Sequence, residues 1–443
     1  MQDTVYALSS GAGPAGIAIV RLSGPQAGPA LRALTGRADL PMPRRAIRAT
    51  LRDPRSAEHL DDALVLWFPG PRSYSGEDMA ELHLHGGPAV IAAVLGTLGA
   101  QPGMRLAEPG EFTRRAFLNG RMDLTEAEGI GDLIVAQTEA QRRQALRQAE
   151  GELGRLYEGW RERLVQILAH LEAWIDFPEE EIPDSVERES SHQILGLAGE
   201  MTRHLDDSRR GERLRQGLDI AIVGPPNAGK SSLLNLLARR DAAIVSDIAG
   251  TTRDVIEVAM DLGGYPVMLA DTAGLREAGD RIEQEGVRRA WRRAESADLR
   301  IAVFDGRDEA GFRVAAGIVD AATLVVLNKA DRGPAAFTVP PPHLGCFAVS
   351  VTEGEGVEAL LTALERILRD RIGLTETPTL TRARHREAVG AAVAALHRAG
   401  TATLPELRAE DLRIAARALG RITGRVDVED LLDVIFRDFC IGK

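Results

Sequence analysis

The stretch LDIAIVGPPNAGKSSLLNLLARR, residues 218–240, permits few folds. A β-rich apolar run passes directly into Gly224, Gly229, Lys230 and Ser231 in the spacing G-x-x-x-x-G-K-[ST], and a helical pattern opens immediately behind it. Glycines in such a loop let backbone N–H groups wrap phosphate oxygens, and the helix N-terminus adds its positive dipole end. In this chemistry Lys230 reaches the β- and γ-phosphates and the Ser231 hydroxyl ligates Mg²⁺. The alternative is a chance string, which a strand before and a helix after argue against. The segment predicts an α/β domain of strand–loop–helix repeats, running from Leu218 to about Arg371.

Three further strings follow in order. SDIAGTTRD supplies Ser246, Asp247, Ile248, Ala249, Gly250, Thr251 and Thr252 in a loop able to close over a γ-phosphate. The strand YPVMLA delivers Asp271, Thr272, Ala273 and Gly274, with the carboxylate suited to a Mg²⁺ water shell and the Gly274 N–H to the γ-phosphate. ATLVVL delivers Asn328, Lys329 and Asp331. A carboxylate at 331 accepts hydrogen bonds from guanine N1–H and the N2 amine, which adenine lacks; ATP would leave a buried acceptor unpaired. Ser350, after the strand CFAVS, is placed to support the same base. Each string alone reads as a turn. In this order they specify a GTP site, with Asn227, Ala228, Gly229, Lys230, Ser231 and Ser232 as its phosphate loop.

The hydrolytic group is less plain. Many small GTPases place a water-orienting Gln directly after D-x-x-G, but here Leu275 follows. Glu277, Glu283 and Glu285 are the candidate replacements, against the plainer reading of solvated charges in a loop. The place of an arginine finger falls to Arg253, or to a monovalent cation held by Asn227 and loop carbonyls.

The rest of the chain sets the context. Its 443 residues suggest about three domains. The first ~118 residues carry short strands with Gly/Pro punctuation, as in GIAIVRLSG, ALVLWFPG and AELHLHGG, and read as a small α+β domain. From Thr125 the period becomes helical, with a capping box of Thr125 and Glu128 opening one helix to about Glu150. A second helix carries Leu153, Trp160, Leu164 and Leu171 on one stripe, and more helix is expected from about Val186 to Arg215. Helices return after Thr381. Helical segments on both sides of an α/β segment predict a helical domain interrupted by an inserted one, rather than four units in a row, since short helical pieces have small cores. Two cysteines, Cys346 and Cys440, make no disulfide framework, no signal peptide is visible and no apolar run reaches membrane-spanning length, so the cytoplasm is expected. Net charge of −11 argues against a nucleic-acid coat without excluding local basic faces such as Arg209, Arg210, Arg213 and Arg215.

With these motifs, and with IVRLSG, GEDMAEL, HGGP, PGEFTRRAFLNGRMDL and the ending FCIGK, the whole chain closely resembles the MnmE (TrmE) family of tRNA-modifying GTPases. The resemblance implies a folate-binding, dimerising N-terminal domain over residues 1–118. A helical domain of residues 119–215 and 373–443 follows, with a Ras-like GTPase domain, residues 216–372, inserted in it. It implies a homodimer that joins a flavoprotein partner, MnmG (GidA), carrying FAD, in a heterotetramer. Together they would place an aminomethyl or carboxymethylaminomethyl group on C5 of the wobble uridine, position 34, of certain tRNAs. The one-carbon unit would come from 5,10-methylene-tetrahydrofolate, with 5-formyl-tetrahydrofolate as a related ligand. By the same resemblance K⁺ activates hydrolysis by dimerising the GTPase domains, with Asn227, Ser246, Ile248 and Thr251 as its ligands. Ser231 and Thr252 would hold Mg²⁺, and Glu283 would be the catalytic glutamate.

The folate site carries over as Arg21, Glu81, Arg121 and Lys443. Arg121 departs from the family pattern, which often has Lys there, and a planar guanidinium changes the contact geometry. The tail is then expected to dock in the folate region, with Cys440 near the one-carbon chemistry as a candidate catalytic residue. Otherwise Cys440 is a small buried hydrophobe beside Phe439, or, four residues from the end, part of a poor lipidation motif. His83 and His85 share a strand face, and pocket lining suits them better than metal binding. A nucleotide-switched ribosomal-RNA assembly factor is the competing class, but a KH module is not evident. A P-loop ATPase is opposed by NKAD.

Overall fold

The computed structural model describes residues 3–11, 13–176, 184–240, 256–271, 295–375, 377–426, 429–437 and 439–443. Two compact units divide the chain: Met1–Gly131, Gln148–Ala169 and Arg413–Lys443 form one, Asp132–Arg147 and His170–Leu412 the other.

The first unit is built on six strands: β1 (Thr4–Leu8), β2 (Ala15–Ser23), β3 (Ile47–Arg52), β4 (His59–Phe68), β5 (Met79–Gly86) and β6 (Met104–Leu106). Their order is β3-β4-β5-β2-β1-β6, antiparallel except for the β1–β6 pair. Alternation sends Val20, Leu22, Val65, Trp67, Leu82 and Leu84 to one face, where the helices Ala27–Thr35 and Pro88–Gly99 cover them. Leu82 is fully buried there, so Leu82→Ala would cost about 2–5 kcal/mol through lost transfer energy and a cavity. The same alternation turns Arg21, Glu81 and His83 to the opposite face. There a smaller cluster of Val5, Ala7, Ala107 and Phe112 packs with Tyr74. Short helices form at Ala27–Thr35, Pro88–Gly99 and Glu111–Leu118.

The capping box lies two residues earlier than its sequence signature. Asp123 N–H donates to Glu126 Oε2 at 2.7 Å, and Glu126 N–H to Asp123 Oδ1 at 2.9 Å. Thr125 is buried within the first turn, its hydroxyl donating to the same Asp123 carboxylate. The single helix expected to Glu150 is two, Leu124–Val135 and Glu139–Ala149. A second cap explains the restart: Thr138 N–H donates to Gln141 Oε1 and Gln141 N–H to Thr138 Oγ1. Leu124 and Ala127 then pack with Leu432 and Phe436 of the helix Glu429–Arg437.

The second unit holds β7 (Leu218–Val223), β8 (Ile256–Leu262), β9 (Tyr265–Asp271), β10 (Leu299–Asp305), β11 (Thr323–Asn328) and β12 (Gly345–Val349) in the order β12-β11-β10-β7-β9-β8. All pairs are parallel except β8 with β9. Every residue of β11, TLVVLN, is buried, as expected of a strand covered on both faces. The helices before and after this sheet pack on each other. A Cβ at Gly400 would lie 3.2 Å from Leu195, and Arg386 bridges Asp207 and Glu212. The helix expected from 186 to 215 breaks after Leu205, where Ser208 and Arg209 adopt positive φ.

Candidate functional site

The nucleotide motifs among the described residues converge at the C-terminal edge of the second sheet. Between β7 and the helix Lys230–Arg240 the loop makes two turns that only glycine suits. Gly224 has φ +142°, and a Cβ there would meet Val303 O at 2.1 Å. Gly229 has φ +99°, and its Cβ would meet Asn328 Nδ2 at 2.1 Å. Lys230 is buried and donates to Gly224 O at 3.0 Å and Pro225 O at 2.8 Å, so its ammonium spans the mouth of the loop. Asn227 stands exposed at the tip with φ +60°, Ala228 is buried beneath it, and Ser231 and Ser232 are exposed on the first helical turn.

Asn328 has a role its motif does not disclose. Its Nδ2 donates to Ala228 O at 2.8 Å, and its Oδ1 accepts from Val351 N–H at 3.2 Å. It is a strut between the loop after β7 and the loop after β12. Lys329, at φ +65°, pairs with Asp305 at 2.7 Å. Burial pushes the Asp305 carboxyl up, but hydrogen bonds from Lys329 and the Arg307 backbone outweigh it and hold the group below its ordinary value. Ser350, fully buried, donates to Asp331 Oδ1 at 2.7 Å and fixes an otherwise exposed carboxylate.

The backbone of Asp271 ends β9 beside β7, at the same edge. Ser246, Asp247, Ile248, Ala249, Gly250, Thr251, Thr252, Thr272, Ala273, Gly274 and Glu283 lie outside the described residues, as do Arg253, Glu277 and Glu285.

A second constellation occupies the open face of the first sheet. Arg21 on β2 and Glu81 on β5 are register partners, and the guanidinium donates to Glu81 Oε1 through Nε at 3.1 Å and a terminal nitrogen at 2.9 Å. Tyr74 and Phe112 offer ring faces 5.4 and 5.8 Å from the guanidinium carbon, and His83 Nε2 lies 3.4 Å from Glu81 Oε2.

The chain's last residues dock here. Ser9 Oγ donates to Gly442 O at 2.8 Å, Gly110 N–H to Cys440 O at 3.3 Å, and Ile441 bridges Pro109. The half-buried Lys443 ammonium is pushed down by burial and by the Arg21 cation, while Glu81 and the Cys440 sulfur favour its charge. Cys440 is exposed, which corrects the reading of a small buried hydrophobe: Phe439 does that packing, against Gly110, Gly131 and Phe436. The structure thus brings Arg21, Glu81 and Lys443 together. Arg121 is exposed, its stem against Gly76. Sequence reasoning missed Tyr74 and Phe112, whose approach to Arg21 depends on chain distant in sequence. Among the described residues no His/Cys/Asp/Glu cluster suits a metal ion, and His85 pairs with Asp61 at 2.7 Å.

Two family profiles match the chain, the MnmE helical domain over residues 124–440 and the N-terminus of the GTP-binding protein TrmE over residues 4–121. The chain belongs to the MnmE family of tRNA modification GTPases. The tRNA modification GTPase MnmE of Rhodospirillum rubrum is 59% identical, over all of this chain and 99% of that protein. That of Parvibaculum lavamentivorans is also 59% identical, over the full length of both. The human mitochondrial 5-taurinomethyluridine-tRNA synthase subunit is 50% identical, over 99% of this chain and 93% of that one. Like other MnmE proteins the chain is a GTPase that acts in tRNA modification. Among the described residues no helix is long and apolar enough to cross a membrane.

Proposed function

We propose that GTP hydrolysis by this chain drives a folate-dependent modification at C5 of the wobble uridine of certain tRNAs. A homodimer would work with the flavoprotein MnmG in the cytoplasm. The docking of Lys443 beside the Arg21–Glu81 pair carries the folate part of this reading. An acid for the pterin N–H donors, two cations, and the aromatic rings of Tyr74 and Phe112 suit a folate's chemistry. Hydrogen bonds of the tail's backbone hold Lys443 in place there. Folate would supply the one-carbon unit, with Cys440 exposed beside it and Arg121 at the rim.

In the second unit, Ser231 at the start of the helix Lys230–Arg240 is placed for Mg²⁺, with Thr252 as the second hydroxyl. Asn227, exposed in the left-handed conformation, suits a K⁺ ligand completed by Ser246, Ile248 and Thr251. Glu283 is the proposed catalytic glutamate. The division into residues 1–118, 119–215, 216–372 and 373–443, with the GTPase domain inserted, is supported by the packing of Asp184–Leu205 against Ala383–Thr401.

The test is equilibrium binding of tetrahydrofolate to the full chain and to Glu81→Ala. The proposal expects binding by the first and at least tenfold weaker binding by the second, with GTP turnover kept. Equal binding by both would remove the folate assignment.

A further inference from the structure

β5 holds an ordered row that the folate residues do not exhaust. Glu81, His83 and His85 alternate onto the open face, and exposure rises along them. Met79, two residues before Glu81 on this face, is 2% exposed, Glu81 and His83 are partly exposed, and the His85 side chain is 71% exposed. The face is therefore closed behind Glu81 and open toward His85. Apolar side chains flank the open part. Ile19 pairs with His83 from β2, and Leu64 pairs with it from β4, with Leu66 beside Glu81. A polar row between apolar borders fits an elongated, flat aromatic molecule.

His85 is held in one orientation. Its Nδ1 lies 2.7 Å from Asp61 Oδ1, and its backbone N–H donates to Asp61 Oδ2 at 2.8 Å. Asp62 N–H donates to the same carboxylate at 2.9 Å. Asp61 is 8% exposed and accepts three N–H groups, so the Nδ1 of a neutral His85 carries the proton and Nε2 keeps its lone pair. An acceptor is thereby presented at a fixed place, about 13 Å along the strand from Glu81 at 3.3 Å per residue.

We propose that tetrahydrofolate lies lengthwise along β5, its pterin at Glu81, its benzoyl ring over His83, and its benzoyl–glutamate amide N–H donated to His85 Nε2. Asp61 is the positioning residue that fixes the tautomer. This placement rests on the folate reading above. An extended pterin–aminobenzoyl unit matches the span between the two side chains, and the closed face at Met79 leaves one direction for it.

The test compares tetrahydrofolate with tetrahydropteroate, which ends at the benzoyl carboxylate and lacks the amide, on the full chain and on His85→Ala and Asp61→Asn. Loss of one neutral hydrogen bond predicts about five- to tenfold weaker tetrahydrofolate binding by His85→Ala, with tetrahydropteroate affinity unchanged. Asp61→Asn should weaken tetrahydrofolate similarly, because an amide no longer dictates the tautomer. Thermal unfolding of each variant beside the unaltered chain reports that the first unit is folded. His85→Ala with both affinities unchanged, or both reduced equally, overturns the placement while leaving the folate reading intact. Failure of the unaltered chain to bind either compound overturns the folate reading itself.

Discussion

Asn328 reaches back a hundred residues to hold the phosphate loop, its Nδ2 donating to Ala228 O while its Oδ1 accepts from Val351 N–H. A Cβ at Gly229 would lie 2.1 Å from that same nitrogen, so the loop and the strut are fitted to each other. The proposed phosphate grip and base recognition are therefore mechanically joined. Asn328→Ala leaves the buried Ala228 carbonyl without its donor, at about 1–3 kcal/mol. GTP affinity measured by titration should fall by about tenfold or more, with the preference for guanine over adenine retained.

Asp331 is the proposed carrier of that preference. Asp331→Asn replaces an acceptor with a donor against the guanine N1–H and N2 amine, while Ser350 keeps its partner in shape. GTP binding should weaken at least a hundredfold, and xanthosine triphosphate, with a carbonyl where guanine has its amine, should be bound better than by the unaltered chain. Competition titrations with the two nucleotides measure this. Unchanged GTP preference contradicts the base-recognition assignment.

The tail has a single point of failure. Gly442 has φ +96°, and a Cβ there would sit 2.2 Å from Leu8 O. Gly442→Ala should release the last residues without disturbing the β-sheet core. Amide exchange at Gly110, whose N–H donates to Cys440 O, should speed up, while exchange in β2 and β5 stays slow.

His204 gives the second unit a dependence on acid. Burial lowers its ionisation to about 4 from an ordinary 6.5; Asp207 opposes this, and the cation of Arg386 and neighbouring His385 add to it. The unfolded chain binds a proton here below 6.5 and the folded one only below about 4. Stability is thus lost as pH falls through that window, by at most about 3 kcal/mol. Denaturant unfolding at pH 7.5 and pH 5 should show the loss, and His204→Phe should shrink it.

Much of this was legible in the sequence where function rests on contiguous strings. Gly224, Gly229 and Lys230 take the positions that their spacing implies, because a strand, a loop and a helix follow one another without long-range help. The pairing of Arg21 with Glu81 depends on strand register, and the arrival of Lys443 beside them on the path of the whole chain, so only family resemblance suggested it. The misplaced cap shows a local limit. Thr125 and Glu128 match the signature as well as Asp123 and Glu126 do, but burial of Thr125 inside the turn decides between them. Nothing local announces Asp61 as the partner of His85, since a carboxylate on β4 meets it only through the sheet.

The most direct measurement is mass spectrometry of tRNA nucleosides from cells in which this chain is replaced by its Glu81→Ala variant, beside cells that keep the unaltered chain. If a folate bound at the Arg21–Glu81–Lys443 cluster feeds the GTP-driven modification, the C5-substituted wobble uridine disappears and unmodified uridine takes its place. An unchanged nucleoside profile, with the variant present and hydrolysing GTP, would contradict the account.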